Sequence, residues 1–199
     1  MNLKNSFNIS VKLEYFLTDN ILLSEYDTLL LKHGISILLQ DGSEILSALI
    51  IGSCFGKLIE TALFLICFCT LRIHSGGLHA KTPTGCYFGF MLIFSSVLII
   101  CSFDIPEYVS VIISIISAVF IILEAPAEHP LNPLTPAQKI SARKHVLYLS
   151  MISLIGEMLL LFQRSCLIEP ITAALFMNCL LMNLLKYSEC LKGRKDACQ

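Results

Sequence analysis

The stretch TPTGCYFGFMLIFSSVLIICSF, residues 82–103, contains no charged side chain among its 22 residues. A helix of about 20 apolar residues crosses the hydrocarbon core of a bilayer, which is about 30 Å thick. Residues 108–123 and 170–185 are also uncharged, and residues 145–163 contain a single acid. A globular core could hold one such helix, but hardly several in a chain of 199 residues. The sequence therefore predicts an all-α, multi-spanning membrane bundle of about 4–6 helices.

The composition supports the same conclusion. Hydrophobic residues make up 55% of the chain and charged residues 15%, whereas soluble domains carry about 25% charged residues. The chain also has too few charges to be a disordered tail. Its formal net charge is −1, which excludes a broad basic surface for nucleic acid. We therefore expect a lipid bilayer around the chain and no nucleic-acid partner.

The N-terminal part is less apolar than the rest. Residues 1–44 contain six acids and three lysines among short apolar clusters, and they lack the long apolar region of a cleavable signal peptide. We expect amphipathic or interfacial helices in this part. A transmembrane domain is expected over residues 45–186 and a cytoplasmic tail over residues 187–199.

Positive charges predict the orientation, because lysine and arginine stay on the cytoplasmic side of a membrane. The connections 72–86 and 124–144 and the tail from residue 186 carry these charges, whereas the turn at 104–107 carries only acids. These three segments should therefore share the cytoplasmic side of the cell membrane.

The side of the N-terminus depends on residues 45–71, which are apolar except for Lys57 and Glu60. One straight span over 45–71 would place residues 1–44 outside. A chain that turns back within the membrane over residues 29–56 would place them inside.

The nine cysteines do not form a disulfide pattern. Five lie within apolar runs, where cysteine usually behaves as a small buried hydrophobe. Paired C-x-x-C elements, an H-E-x-x-H motif and a Walker loop are all missing from the sequence. We therefore expect no metal and no cofactor.

One polar island interrupts the apolar chain, the stretch LRIHSGGLHAKTPTGC at residues 71–86. A cysteine needs a base to become a thiolate near neutral pH, and a histidine can supply it. His79 and Cys86 are the favoured pair, because the proline and glycine between them allow a turn that brings them together. His74 is the rival base.

The glycine pair Gly76-Gly77 lets the backbone adopt positive φ and approach a substrate closely, and its N–H groups can stabilise an oxyanion. Arg72 can bind a carboxylate or orient the loop. The competing interpretation is an ordinary membrane loop, in which the glycines form a turn and Cys86 begins the next helix. The spacing alone leaves both interpretations open.

Acids elsewhere in the chain suggest further contacts. Glu124 and Glu128 lie in a proline-rich connection and can hold a basic part of a peptide, or they are solvated acids of a stiff connector. Glu157 has no partner one turn away in its own helix. We expect it to face another helix or a second subunit, which leaves a homodimer open.

Two motifs carry a resemblance to a known family. The first motif resembles the signature of the accessory gene regulator B (AgrB) peptidases and consists of Arg72, Gly76-Gly77, His79-Ala80 and Cys86. That family's second cytoplasmic loop is similar to Ala125-Pro126-x-Glu128-x-Pro130-x-Asn132-Pro133-Leu134. The resemblance covers roughly residues 30–186.

The resemblance implies an integral membrane cysteine endopeptidase that trims the C-terminal part of a small quorum-sensing propeptide. His79 and Cys86 match the catalytic residues, and the reaction implied is an acyl-enzyme thioester followed by ring closure of the peptide. Arg72, Gly76, Gly77 and Glu128 are then candidates for substrate binding or oxyanion stabilisation. The alternatives are a small multi-spanning transporter, which would place its polar groups at the membrane midplane, and a non-catalytic membrane scaffold.

Overall fold

The structure, a computed structural model, describes residues 25–76, 82–103, 105–127, 134–163 and 167–196. Within these ranges the chain forms helices and no β-strand. The helices are α1 (Glu25–Cys54), α2 (Leu58–Ser75), α3 (Pro83–Ile100), α4 (Glu107–Glu124), α5 (Pro136–Phe162) and α6 (Ile168–Asp196).

Five of these helices are long and apolar enough to cross a membrane. The apolar part of α3, Thr84–Ile100, is slightly shorter. Large apolar side chains such as Leu92, Ile116 and Ile152 point outward on α3, α4 and α5. An apolar exterior is the surface expected of helices that face lipid. The predicted multi-spanning helical bundle is confirmed.

A sharp turn interrupts the apolar run 45–71, so this run is not one straight span. α1 ends at Cys54, α2 begins at Leu58, and Gly56 between them has a φ of +68°. The Lys57 side chain donates hydrogen bonds to the Cys101 carbonyl and, at 3.2 Å, to the Ser102 hydroxyl. Lys57 therefore lies at the helix ends, where its charge ties the α1–α2 turn to the end of α3.

The chain divides into two compact units, residues 1–48 and 49–199. In the first unit, the described residues belong to α1, and the Gln40 amide donates to the Glu44 carboxylate over 3.2 Å. α1 is continuous across residue 44 and α6 across residue 186. The predicted domain boundaries at these positions therefore fall inside helices.

In the second unit, α6 is the central helix and packs against α2, α3, α4 and α5. The Asn178 side chain in α6 donates to the Phe68 carbonyl at 3.3 Å and to the Ala174 carbonyl at 2.9 Å. It thereby links α6 to α2. The apolar core beside this link consists of Leu71, Ala118, Ile121, Ala125, Val146, Ile171, Leu175 and Met182.

Aromatic rings join α2 to α3. Phe64 and Phe68, one turn apart in α2, stack with their ring centroids 5.3 Å apart. Phe90 and Phe94, one turn apart in α3, pack against them at 6.1 and 6.3 Å. This contact positions α3, whose first turn carries Cys86.

Small and polar residues line the buried faces of α4 and α5. Such residues allow helices in a membrane to approach closely and to hydrogen-bond across their interface. The buried face of α4 carries Ser110, Ser114, Ser117 and Ala118, and that of α5 carries Ser150, Ser153 and Glu157.

Glu157 connects three helices. Its Oε1 accepts hydrogen bonds from the Ser114 hydroxyl at 2.8 Å and from the Thr172 hydroxyl at 2.7 Å. The side chain is 1% exposed. The expectation that Glu157 faces another helix is confirmed, and its partners lie in α4 and α6.

We expect Glu157→Gln to be nearly as stable as the wild type and Glu157→Leu to lose about 1–3 kcal/mol of unfolding free energy. The neutral amide keeps an oxygen for both hydroxyls, whereas leucine removes both hydrogen bonds, each worth about 0.5–1.5 kcal/mol. The hydroxyls are then left with their longer contacts, Ser114 to Thr172 at 3.1 Å and Thr172 to the Ile168 carbonyl at 3.2 Å. Thermal unfolding in one lipid–detergent mixture measures the difference, with the lipid-facing Met158→Leu as control. Equal losses in the glutamine and leucine variants would contradict this role.

Candidate functional site

The end of α2 and the start of α3 lie at one end of the bundle. α2 ends at Ser75, and Gly76 caps it with φ +73° and ψ −161° while its N–H donates to the Arg72 carbonyl at 3.2 Å. Because this N–H is already donated within the cap, the predicted oxyanion donor of the glycine pair would have to be Gly77. Gly77 lies outside the described residues.

Gly76 also meets the α4–α5 connection. It forms a parallel bridge with Ala127, whose N–H donates to the Ser75 carbonyl at 2.8 Å. A Cβ on Gly76 would lie 2.5 Å from the Ala127 carbonyl oxygen. The backbone at Gly76 therefore lies close to the start of the second loop. The predicted approach of the glycine pair to a substrate stays a prediction. The contact also places the end of α2 and the end of α4 at the same end of the bundle.

We expect Gly76→Ala to lower peptide processing per folded molecule by about 10²-fold, the effect typical of a displacement of about 1 Å in an active site. Alanine is strained at this φ, and its methyl group must also displace Ala127. Gly56→Ala is the matched control, because Gly56 has a similar φ of +68° but nothing within 4 Å of the added Cβ. Equal processing by the two folded variants would show that the contact with Ala127 has no role.

Arg72 lies between the α2 cap and Cys86. Its Nη1 donates to the Gly76 carbonyl at 3.1 Å, and its guanidinium interacts electrostatically with the Cys86 thiol. The Ser75 hydroxyl donates to the same Gly76 carbonyl at 3.3 Å. Of the two roles that the sequence left open for Arg72, these contacts favour orientation of the loop.

Cys86 lies in the first turn of α3. Thr82 is the N-cap, its hydroxyl accepts the Gly85 N–H at 3.1 Å, and Pro83 occupies the first turn. The Cys86 N–H donates to the Thr82 carbonyl at 3.0 Å. A helix N-terminus and a nearby guanidinium both stabilise a thiolate. The half-buried Cys86 has both.

The surroundings of Cys101, at the end of α3, are different. Burial raises the pKa of the Cys101 thiol to about 11, and nearby acids, Glu169 and Glu60, also raise it. Cys101 therefore stays a thiol near neutral pH, which makes it a suitable control for Cys86.

His74 points toward α5. Its ring stacks on that of His145, with centroids 4.6 Å apart and an interplanar angle of 10°. His145 Nδ1 is 2.7 Å from the Ser141 carbonyl, which can only accept. Arg72 and His74 are two residues apart, so they project from opposite sides of α2. No local pattern in the sequence indicates this histidine pair, since its members are 71 residues apart.

The end of α4 contacts two further helices. The Arg143 Nε in α5 donates to the Ala125 carbonyl at 3.1 Å. Glu124 forms an ion pair with Lys186 of α6. Glu124, proposed from the sequence to hold a basic part of a peptide, thus has a partner within the chain. The ion pair also places Lys186 at the same end of the bundle as Cys86.

His79 and Glu128 lie outside the described residues, as does Gly77, and their roles stay predictions. Within the described ranges, no three histidine, cysteine or acidic side chains come together. The expectation of no metal also stays a prediction.

Comparison with known protein families gave a match over most of the chain. The family model described as AgrB, accessory gene regulator B, matches residues 10–188. Comparisons with curated proteins and with solved structures gave no match.

Proposed function

Because the chain belongs to the accessory gene regulator B family, we propose that it is a membrane cysteine endopeptidase with Cys86 as nucleophile and His79 as base. Members of this family are membrane proteins that process an AgrD-type quorum-sensing propeptide. The observation that carries the proposal is the position of Cys86, in the first turn of a helix and near enough to Arg72 for the guanidinium charge to act on its thiol.

His79 is the base in this proposal for a reason of chain length. It is three residues after Gly76 and three before Thr82, so about 10 Å of extended chain at most separates its Cα from either. His74, the rival, is stacked on His145 and projects away from the Arg72 side of α2. This contact supports the choice of His79.

In the first step, His79 takes the proton of the Cys86 thiol, and the thiolate attacks the carbonyl carbon of the scissile peptide bond. The C–N bond breaks, and protonated His79 donates its proton to the leaving amine. The C-terminal fragment departs, and the N-terminal part stays on Cys86 as a thioester. In the proposed second step, a cysteine or serine of the bound peptide attacks the thioester, closes a ring and releases the Cys86 thiol.

Other predicted residues support these steps. The Arg72 guanidinium stabilises the thiolate and holds the Gly76 carbonyl. The Gly77 N–H is proposed to stabilise the oxyanion, and Glu128 to contact the propeptide. A site enclosed by helices at the edge of the membrane excludes water, and this favours ring closure over hydrolysis of the thioester.

The orientation of the site is part of the proposal. The Cys86 end of the bundle carries three positive charges, those of Arg72, Arg143 and Lys186. At the other end of α3, the positive charge of Lys57 is hydrogen-bonded to the Cys101 carbonyl. Since positive charge stays on the cytoplasmic side, we place the Cys86 end there. The product is then released at the cytoplasmic face of the membrane.

The test is a reconstitution. Purified protein in lipid vesicles should release the C-terminal fragment of an AgrD-type propeptide without any added cofactor, and a metal chelator should not change the rate. A transporter would move the intact peptide, and a scaffold would bind it uncut. An uncleaved propeptide with the folded, inserted protein would therefore contradict the proposal.

A further inference from the structure

The segment Glu124–Ala127, which ends α4 and begins the second loop, is held by three other helices. Ala127 donates to the Ser75 carbonyl at the end of α2. The Arg143 side chain of α5 donates to the Ala125 carbonyl at 3.1 Å, and Glu124 pairs with Lys186 of α6. A connection that only joined two spans would not need these contacts.

The contact with Arg143 adds a charged side-chain donor to the two backbone hydrogen bonds of this segment, from the Ala125 N–H to the Ile121 carbonyl and from the Ala127 N–H to the Ser75 carbonyl. Ala125 is 1% exposed, so water does not readily solvate its carbonyl, and the charged Arg143 donor satisfies it. Arg143 itself is exposed.

A series of contacts connects Arg143 to Gly76, next to the proposed site. Ala127, two residues after Ala125, forms the bridge with Gly76 and donates its N–H to the Ser75 carbonyl. Gly76 is followed directly by the residues that lead to His79, and its carbonyl is held by Arg72. The conformation of Gly76 is tightly constrained, because there is no space for a Cβ beside the Ala127 carbonyl. A shift of Ala125 would therefore displace Gly76.

We propose that Arg143 is a positioning residue of the peptidase site, which acts through the backbone of Ala125–Ala127 to hold Gly76 in register with Cys86. This inference rests on the proposed function. It assigns Arg143 an indirect role and no contact with the substrate.

The first test compares Arg143→Gln with Lys144→Gln. Both variants remove one positive charge from neighbouring exposed positions of α5. Arg143→Gln should lower kcat by about 10²-fold, the effect of a displaced catalytic group. Its KM should change by less than about threefold, which is a small change, since about 1.4 kcal/mol of binding free energy corresponds to tenfold. Lys144→Gln should keep the kcat of the wild type. A rise in KM of equal size in both variants would mean that charge binds the propeptide, and it would overturn the proposal.

The second test is a double-mutant cycle with Gly76→Ala. Both changes break the same link, so the double variant should be no slower than the slower single variant. Effects that multiply would show that Arg143 acts elsewhere. If Arg143→Gln does not insert, Arg143→Lys replaces it. Lysine lacks the planar guanidinium group, so kcat should still fall, and a normal kcat would overturn the proposal.

Failure of this inference is distinguishable from failure of the proposed function. If cleavage does not depend on Cys86, the proposed function fails. If cleavage depends on Cys86 but Arg143→Gln cleaves at the rate of the wild type, only the positioning role fails.

Discussion

Replacement of Cys86 by alanine is expected to lower release of the C-terminal fragment by about 10⁴-fold or more, as loss of a nucleophile typically does. Alanine leaves no atom that can form the acyl intermediate, while its helix propensity keeps the first turn of α3 intact. The measurement is the initial rate of fragment release in lipid vesicles, normalised to the amount of inserted protein.

Cys101→Ala is the matched control, because Cys101 belongs to the end of the same helix and is also half-buried. Since burial raises its thiol pKa to about 11, alkylation near neutral pH should modify Cys86 well before Cys101. Near-normal cleavage by Cys86→Ala would contradict the assignment of the nucleophile. A loss in Cys101→Ala of the same size as in Cys86→Ala would show a folding effect instead.

Replacement of His79 by alanine is expected to lower the rate by about 10²–10⁴-fold, the usual contribution of general acid–base catalysis. His74→Ala should keep most of the activity, because the His74 ring stacks on His145 of α5. The measurement is again fragment release per folded molecule.

His145→Ala provides the control for this comparison. It removes the same stacked contact as His74→Ala from the other side, so the two variants should resemble each other in activity and stability. If His74→Ala alone abolished cleavage while His145→Ala and His79→Ala remained active, His74 would be the base and the proposed pair would be wrong.

The fold could be predicted because long uncharged segments have few alternatives to membrane helices. The sequence could not show whether the chain turns at Gly56, because Lys57 could lie either inside the membrane or at a helix end. The central position of α6 was not predicted, because hydropathy does not distinguish a helix that faces lipid from one buried among helices. The signal that was available is the small and polar face of α4, with Ser110, Ser114 and Ser117 at helical spacing.

The site could be predicted in part. The spacing from Arg72 to Cys86 predicted one polar loop, and in the structure these two residues are near enough to interact electrostatically. The contacts of Gly76 with Ala127 and of Arg143 with Ala125 were not predicted. They join distant parts of the sequence, and no local pattern encodes such a pairing. The similarity of the second loop to the family pattern was a sign that this loop matters, but it did not indicate which residues it contacts.

The most direct test of the central claim is to trap the acyl-enzyme. A propeptide whose ring-closing cysteine or serine is replaced by alanine should stop at the thioester, since its own nucleophile is missing. After a rapid acid quench, mass spectrometry should find the N-terminal part of the propeptide on Cys86, and neutral hydroxylamine should remove it. Release of the C-terminal fragment with no adduct on Cys86, or with a hydroxylamine-stable adduct on another residue, would contradict the account.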